Sequence, residues 1–331
     1  MRLLKLPTNT SIPFMRWRWP AMIGAGGLCL LSLLLFLFVG LNYGIDFKGG
    51  TLVEVRVKQL PVDIGAIRSE IGALNLGDVQ IQEIGDDGDV LIRVERQDGG
   101  EEAQQRANLL IQETLGDAVE VRRVEVVGPR VSDELARAGL IGVIASLVAI
   151  LAYIWLRFEW HFAVGAVVTT LHDVLLTIGL YAVLRLDFTL ASIAAILTIV
   201  GYSLNDTVVV YDRVRENLRR YKKMPLPELL DLSINQTLSR TIMTSATTLL
   251  ALFALFVFGG EVIRQFVLAM IFGIMVGTFS SVFIASPLLV LLKLRPERIQ
   301  LGPDEPDAAD ATEETAAVPD RPGKASPRPA E

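Results

Sequence analysis

The sequence predicts a helical integral membrane protein with six transmembrane helices and one small α+β domain inserted after the first. Three observations carry this. Apolar residues make up 51% of the 331 positions, and mean hydropathy is +0.45. Several apolar runs reach the roughly 20 residues needed to cross a bilayer. The long stretch between the first two runs alternates strand-like and helix-like patterns instead.

Residues 1–20 read as a cytoplasmic N-terminus and residues 21–41 as the first span. That run is too long for a signal-peptide h-region and no small-residue cleavage site follows it, so a retained anchor is expected. Residues 42–134 form the inserted domain, expected on the periplasmic side. Residues 50–58 alternate like a strand. Residues 61–74 have helical periodicity through Ile64, Ile67 and Ile71, with Pro61 suited to the first turn. Residues 79–84 and 90–95 read as strands joined by a turn at Gly85, Asp86, Asp87 and Gly88. Residues 101–115 read as a helix and 119–127 as a strand. The order β-α-β-β-α-β is the ferredoxin-like pattern, which hosts many functions and settles none. With no His, Cys or phosphate loop, this domain offers nothing catalytic. Five more spans follow at about 135–156, 162–184, 188–211, 242–258 and 266–292. Residues 295–331 are rich in Ala, Pro, Asp and Glu and read as a disordered cytoplasmic tail.

Basic residues set the expected orientation. Arg2, Lys5, Arg16 and Arg18 precede the first span. Arg213, Arg215, Arg219, Arg220, Lys222, Lys223 and Arg240 lie between the fourth and fifth. Lys293, Arg295 and Arg298 follow the last. With six spans all three segments fall on one side, which is therefore cytoplasmic, as are both termini. Trp17 and Trp19 fit an interfacial aromatic belt. The basic segment beside the membrane suits anionic lipid, and no nucleic-acid partner is expected. The net charge of −6 comes largely from the tail and identifies no partner. The single cysteine, Cys29, lies in the first span, so no disulfide within the chain is possible.

Asp206 is the one Asp, Glu, Lys, Arg or His in the apolar run 188–211. A charge near the centre of a spanning helix costs roughly 2.5–3.5 kcal/mol on insertion scales. Such residues face the bundle interior or water and mark ion or proton paths; the bland alternative is a polar clamp between helices. His172 and Asp173 lie inside the third span, with Thr169 and Thr177 four residues either side of Asp173. Thr198, Tyr202 and Ser203 are placed on the face of Asp206. Arg240 opens the fifth span, followed by Thr244, Thr247 and Thr248. Three polar stripes on consecutive spans suggest a seam inside a bundle. In the sixth span, Gly273, Gly277, Ser280 and Ser281 read as a close-packing face rather than a ligand site. No enzyme activity and no metal site is expected, because His172–Asp173 has no nucleophile motif and the two histidines have no thiol nearby.

Several motifs resemble those of the SecF family of bacterial protein-export membrane subunits. After the first span stands NYGIDFKGGT, with Gly44, Asp46, Lys48, Gly49 and Gly50 as its signature residues. Gly128-Pro129-Arg130-Val131, Phe158-Glu159-Trp160, His172-Asp173, the run Gly201 to Thr207 and the run Asn235 to Thr241 also match. The likeness covers about residues 15–294. SecD is a relative with a much larger outer domain, so the short insert favours SecF. Both resemble the resistance-nodulation-division transporters, which use twelve spans in two similar halves; this chain matches one half.

The resemblance implies a subunit of the bacterial inner membrane. With SecD it would use the proton gradient to promote late, outer-side steps of polypeptide translocation through the SecYEG channel. Partners would be SecD, SecYEG and exported unfolded polypeptides, with protons as coupling ion and no other cofactor. The family's acid falls on Asp206 and its arginine on Arg240, with His172, Asp173, Thr169, Tyr202, Ser203, Asn205 and Thr244 as a supporting polar seam. Protonating Asp206 would remove the charge opposite Arg240, and by linkage proton uptake would bias conformation. Two other readings stay open: a non-energised scaffold of the translocon, and half of a small-solute proton-coupled exporter.

Overall fold

The computed structural model describes residues 10–58, 60–84 and 88–294. Arg2, Lys5, the turn at Gly85–Asp87 and the tail from residue 295 lie outside them. A 3-10 turn at Phe14–Trp17 leads into α1 (Arg18–Phe38). The short β1 (Asn42–Tyr43) and α2 (Ile45–Lys48) precede β2 (Gly50–Val57), α3 (Ile64–Gly72), β3 (Val79–Ile84), β4 (Asp89–Val94), α4 (Gly100–Leu115) and β5 (Val119–Val127). Then come α5 (Pro129–Arg157), α6 (Trp160–Leu184), β6 (Asp187–Phe188), α7 (Leu190–Arg220), α8 (Leu226–Phe258), α9 (Glu261–Ser280) and α10 (Ser286–Leu291). Among the described residues, six helical segments are long and apolar enough to cross a membrane.

Two of these helices outrun their expected spans. The expected limits of 211 and 242 mark where the apolar composition stops, whereas α7 continues to Arg220 and α8 begins at Leu226. Hydropathy locates the lipid-compatible part of a helix, not its ends. The helix expected at 61–74, α3, differs in the other direction. Pro61 lies outside it, because the Asp63 side chain accepts the N–H of Ala66 at 2.9 Å and starts the helix after itself.

The inserted domain is a four-stranded antiparallel sheet in the order β3-β4-β2-β5. Alternation in β2 and β4 sends Val53, Val55, Val90, Ile92 and Val94 to one face, where they pack with Ile67 and Ile71 of α3 and Ile111 of α4. Each such side chain stabilises the domain by about 1.5–3 kcal/mol when fully buried. The opposite face carries Leu52, Glu54, Leu91 and Arg93 and has no helix of its own. It borders a cleft of about 500 Å³ whose far wall is the start of α7 and the start of α9. A second, two-stranded parallel sheet pairs β1 with β6, so the chain leaving α1 is stitched to the chain leaving α6.

α6, α7 and α9 form the centre of the bundle. About half of each apolar window is buried there, against 11%, 6% and 17% for α1, α5 and α8, which therefore present apolar surface outward. The small residues of α9 permit its close approach to α7. A Cβ on Gly277 would lie 2.9 Å from that of Ser203, and one on Gly273 2.3 Å from the Ile199 side chain. Beyond α9 the helix widens into a π turn at Ser281–Ala285. Pro287 explains it: the ring has no N–H to give and displaces the carbonyl a turn earlier. The hydroxyl of Tyr211 donates to the Ala285 carbonyl at 2.9 Å.

Candidate functional site

The buried polar residues gather where the three central helices meet. Asp173 of α6 is wholly buried. Its Oδ1 lies 2.8 Å from Nδ1 of His172. Its Oδ2 accepts hydroxyl hydrogen bonds from Ser203 of α7 and from Ser280 of α9 at 2.9 Å. One carboxylate therefore ties three helices together. Thr169 and Thr177 share the expected face, but their hydroxyls donate to backbone carbonyls of α6 itself, Gly165 O and Asp173 O, each at 2.8 Å.

Asp206 is 2% exposed, one turn beyond Ser203 on α7. Its Oδ2 is buried without a hydrogen-bond partner. Arg240 of α8 acts on it through space while its own side chain lies exposed on the flank of the chain. Tyr202 Oη reaches Ser245 Oγ at 3.4 Å, and Ser245 meets Thr278 Oγ1 at 2.8 Å, joining α7, α8 and α9.

Four residues depart from the expected seam. Thr198 and Asn205 are exposed, and Asn205 borders a shallow recess between α5 and α7 with Tyr153 and Gly201. Adjacent positions on a helix do not share a face, so Asn205 turns away from Asp206. Thr244 is half-buried and bonds carbonyls of its own helix. Ser280, read as packing, proves to be a ligand of Asp173. Its signal was a hydroxyl three residues after Gly277, in the stripe that approaches α7 most closely.

The signature loop fastens the sheet domain to the start of α7. Asp46 Oδ2 accepts the N–H of Leu190, the first residue of α7, at 2.8 Å. Thr189 and Ser192 complete the cap as a capping box. The N–H of Gly44 donates to Phe188 O at 2.9 Å. Asp187 accepts from Asn42 Nδ2 at 2.6 Å and pairs with Arg93 of β4 at 2.5 Å. Gly49 and Gly50 have φ of +72° and +128°. A Cβ on Gly50 would sit 2.5 Å from Val94 O, so only glycine lets β2 start this close to β4. Lys48 is exposed at the rim of a recess shared with Asp78 and Glu95. At the opposite end, Asn235 grips the backbone of Ile12 through both its amide atoms, at 3.0 and 2.9 Å. Asp231 accepts the N–H of Met15 at 2.8 Å. Asn235, the first residue of the matching run, and Asp231 one turn before it therefore hold the N-terminal segment.

Known proteins place this architecture. The C-terminal family of the protein export membrane proteins SecD and SecF matches residues 109–295, and the SecD/SecF GG motif matches residues 34–59. Protein translocase subunit SecF of Rhodobacter capsulatus is 44% identical over 321 residues, 92% of this chain and 96% of that one. Protein translocase subunit SecDF of Brucella abortus is 46% identical over 94% of this chain, which spans only 40% of that longer protein. The crystal structure of a translocon-associated SecDF from Thermus superposes with a TM-score of 0.80 at 35% identity, over 88% of this chain and 40% of that one. A SecDF in a super-membrane-facing form gives 0.64 at 34% identity, over 96% and 42%. A family match across more than half the chain, and SecF identity along almost all of it, make this chain a member of the SecD/SecF family of protein export membrane proteins.

Proposed function

We propose that this chain is the SecF-type subunit of a bacterial Sec translocase, working with a SecD-type partner and the SecYEG channel to export unfolded polypeptides. The proton gradient drives late steps on the outer side, with Asp206 as the proton acceptor and Arg240 as its counter-charge. The observation that carries this reading is Asp206 itself, a carboxyl buried in a spanning helix with Oδ2 left unpartnered. A passive polar clamp would have its hydrogen bonds made, as Asp173 has. An acid that must gain and lose a proton is better served by an open oxygen.

The SecD-type partner follows from charge. Arg240 lies within an apolar helix yet is exposed on this chain. A cation facing lipid is costly, so a second six-span half is the cover that fits, as in the two-half arrangement of the resistance-nodulation-division transporters that the chain resembles. The basic stretch from Arg213 to Lys223 supports a reading in which both termini are cytoplasmic in an inner-membrane protein, beside anionic lipid. The sheet domain is then periplasmic. Its strand order, with a helix in each of the two longer connections, supports a ferredoxin-like module. Its contact with the start of α7 offers a route from Asp206 to the outside.

Inverted vesicles carrying the complex with Asp206→Asn, at matched abundance, test the reading. Loss of gradient-dependent export per complex, with partial activity retained by Asp206→Glu, is expected. Export at the wild-type rate with unchanged gradient dependence would leave Asp206 a packing residue.

A further inference from the structure

His172 and Asp173 sit at mid-helix in α6, with 6% and 0% of their surfaces exposed. Asp173 receives three donors: the Ser203 and Ser280 hydroxyls on Oδ2 and the His172 ring on Oδ1. When Asp173 is a carboxylate it only accepts, and the hydrogen of that bond is then carried by Nδ1 of His172. The other ring nitrogen, Nε2, is buried and has no partner. With a neutral imidazole the pair carries one uncompensated negative charge inside an apolar bundle. Leaving such a charge buried costs several kcal/mol. One proton added at Nε2 converts the pair into a neutral His⁺–Asp⁻ couple without breaking any of the three bonds.

We propose that His172–Asp173 is a second proton-holding site of the bundle, with Nε2 of His172 as the atom that takes up the proton. The step is a bare proton transfer. An N–H bond forms at Nε2, and a hydronium ion gives up one O–H bond and leaves as water. The charge of the pair goes from one negative to zero. Charged or titratable groups facing the pair are few. α1 (Arg18–Phe38) contributes only Cys29 beyond Arg18. α7 contributes Asp206, one turn past Ser203, and the buried Tyr211 phenol beyond it. α9 and the π turn carry no ionisable side chain between Arg264 and Lys293, and α5 has only the exposed Tyr153 between Arg137 and Arg157. Ser203, which donates to Asp173, stands one turn before Asp206 on α7. A proton held on His172 neutralises the pair and gives the bundle a second buried site for the proton that Asp206 takes up.

This inference deepens the proton-driven reading, but its test does not depend on export. The chain has two histidines, His161 and His172. This chain, labelled with ¹⁵N-histidine, carrying His161→Gln and assembled with an unlabelled SecD-type partner in lipid nanodiscs, leaves a single labelled imidazole to follow by NMR. On acidification from about pH 8 to about pH 5, the range in which histidine ordinarily changes charge, Nε2 should gain a proton while Nδ1 stays protonated. Asp173→Asn removes the counter-charge and should weaken that uptake by at least about tenfold. His172→Gln keeps an amide donor beside Asp173 but cannot hold the proton. In the vesicle assay it should alter the pH profile of gradient-driven export, while wild-type abundance and thermal stability persist. An Nε2 that stays unprotonated across the whole range overturns the proposal, whatever export does. If Nε2 titrates but Asp206→Asn leaves export untouched, the motor reading fails and the proton site remains.

Discussion

Replacing Asp187 with Ala tests whether the sheet domain is held to the membrane helices by the contacts described above. Asp187 accepts one bond from Asn42 Nδ2 at 2.6 Å and one from Arg93 at 2.5 Å. Both partners of the ion pair are mostly buried, with side chains 15% and 18% exposed. Each charge-assisted bond contributes about 1.5–3 kcal/mol, so the simple sum is about 3–6 kcal/mol. Water entering the open cleft beside Arg93 partly replaces the lost partner, which favours the lower end. About 3 kcal/mol is roughly a hundredfold in the equilibrium between docked and undocked domain. The backbone of Asp187 is untouched: its N–H still meets Gln265 Oε1 and its carbonyl still takes the Ser192 hydroxyl, so the α7 cap persists. Hydrogen exchange of the full complex reads the result. The amides of Gly44 and Leu190, bonded to Phe188 O and Asp46 Oδ2, should exchange on the order of a hundredfold faster. Those of Val53, Val55 and Ile92, inside the sheet, should not change. Unchanged exchange at Gly44 and Leu190, or acceleration confined to the sheet core, would refute the assignment of Asp187 as the fastening point.

Four further outcomes follow from the geometry. Asp46→Ala removes the acceptor for the Leu190 N–H and should lower stability by about 1 kcal/mol, read as a small drop in thermal midpoint that Asp46→Ser largely restores. Gly277→Ala drives a methyl group to within 2.9 Å of Ser203 Cβ and should destabilise the purified complex by about 1–3 kcal/mol. Gly72→Ala, on a helix with open space around it, should instead be neutral or slightly stabilising. The Arg56 guanidinium, bonded to both oxygens of Asp89 at 2.7 and 2.8 Å, holds that carboxyl below its usual range. A depressed folded value means the contribution is complete above the unfolded value of about 3.9 and is lost as pH falls through the folded one. Arg56→Met should therefore remove part of the sheet domain's acid sensitivity, seen as a flatter fall in β2 and β4 protection below about pH 4.

The six apolar helices and the succession of strands and helices along the inserted domain could be read from the sequence because both rest on periodicity, which is local. Burial inside a bundle is not local. Asp206 was legible as an anomaly because one acid stands out in an apolar run, and its burial follows. Asn205 and Thr198 could not be sorted the same way. They are as polar as Ser203, and only the approach of α9 decides which face of α7 turns inward. That approach was itself written in Gly273 and Gly277, but small residues declare only that something comes close, not what. Ser280 shows the consequence. Read alone it is one more small residue in a packing stripe; set against Ser203 by the glycine contact it becomes the second hydroxyl on Asp173. The signature loop differs again. Its glycines could be recognised from the family motif, yet their purpose needs Val94 and Leu190, 44 and 144 residues away from Gly50 and Asp46 respectively. The same loop caps the helix that carries Asp206 and docks the strand that carries Arg93. A change in the tilt of α7 therefore cannot leave the sheet domain where it was unless the contacts at Asp46 and Asp187 break first.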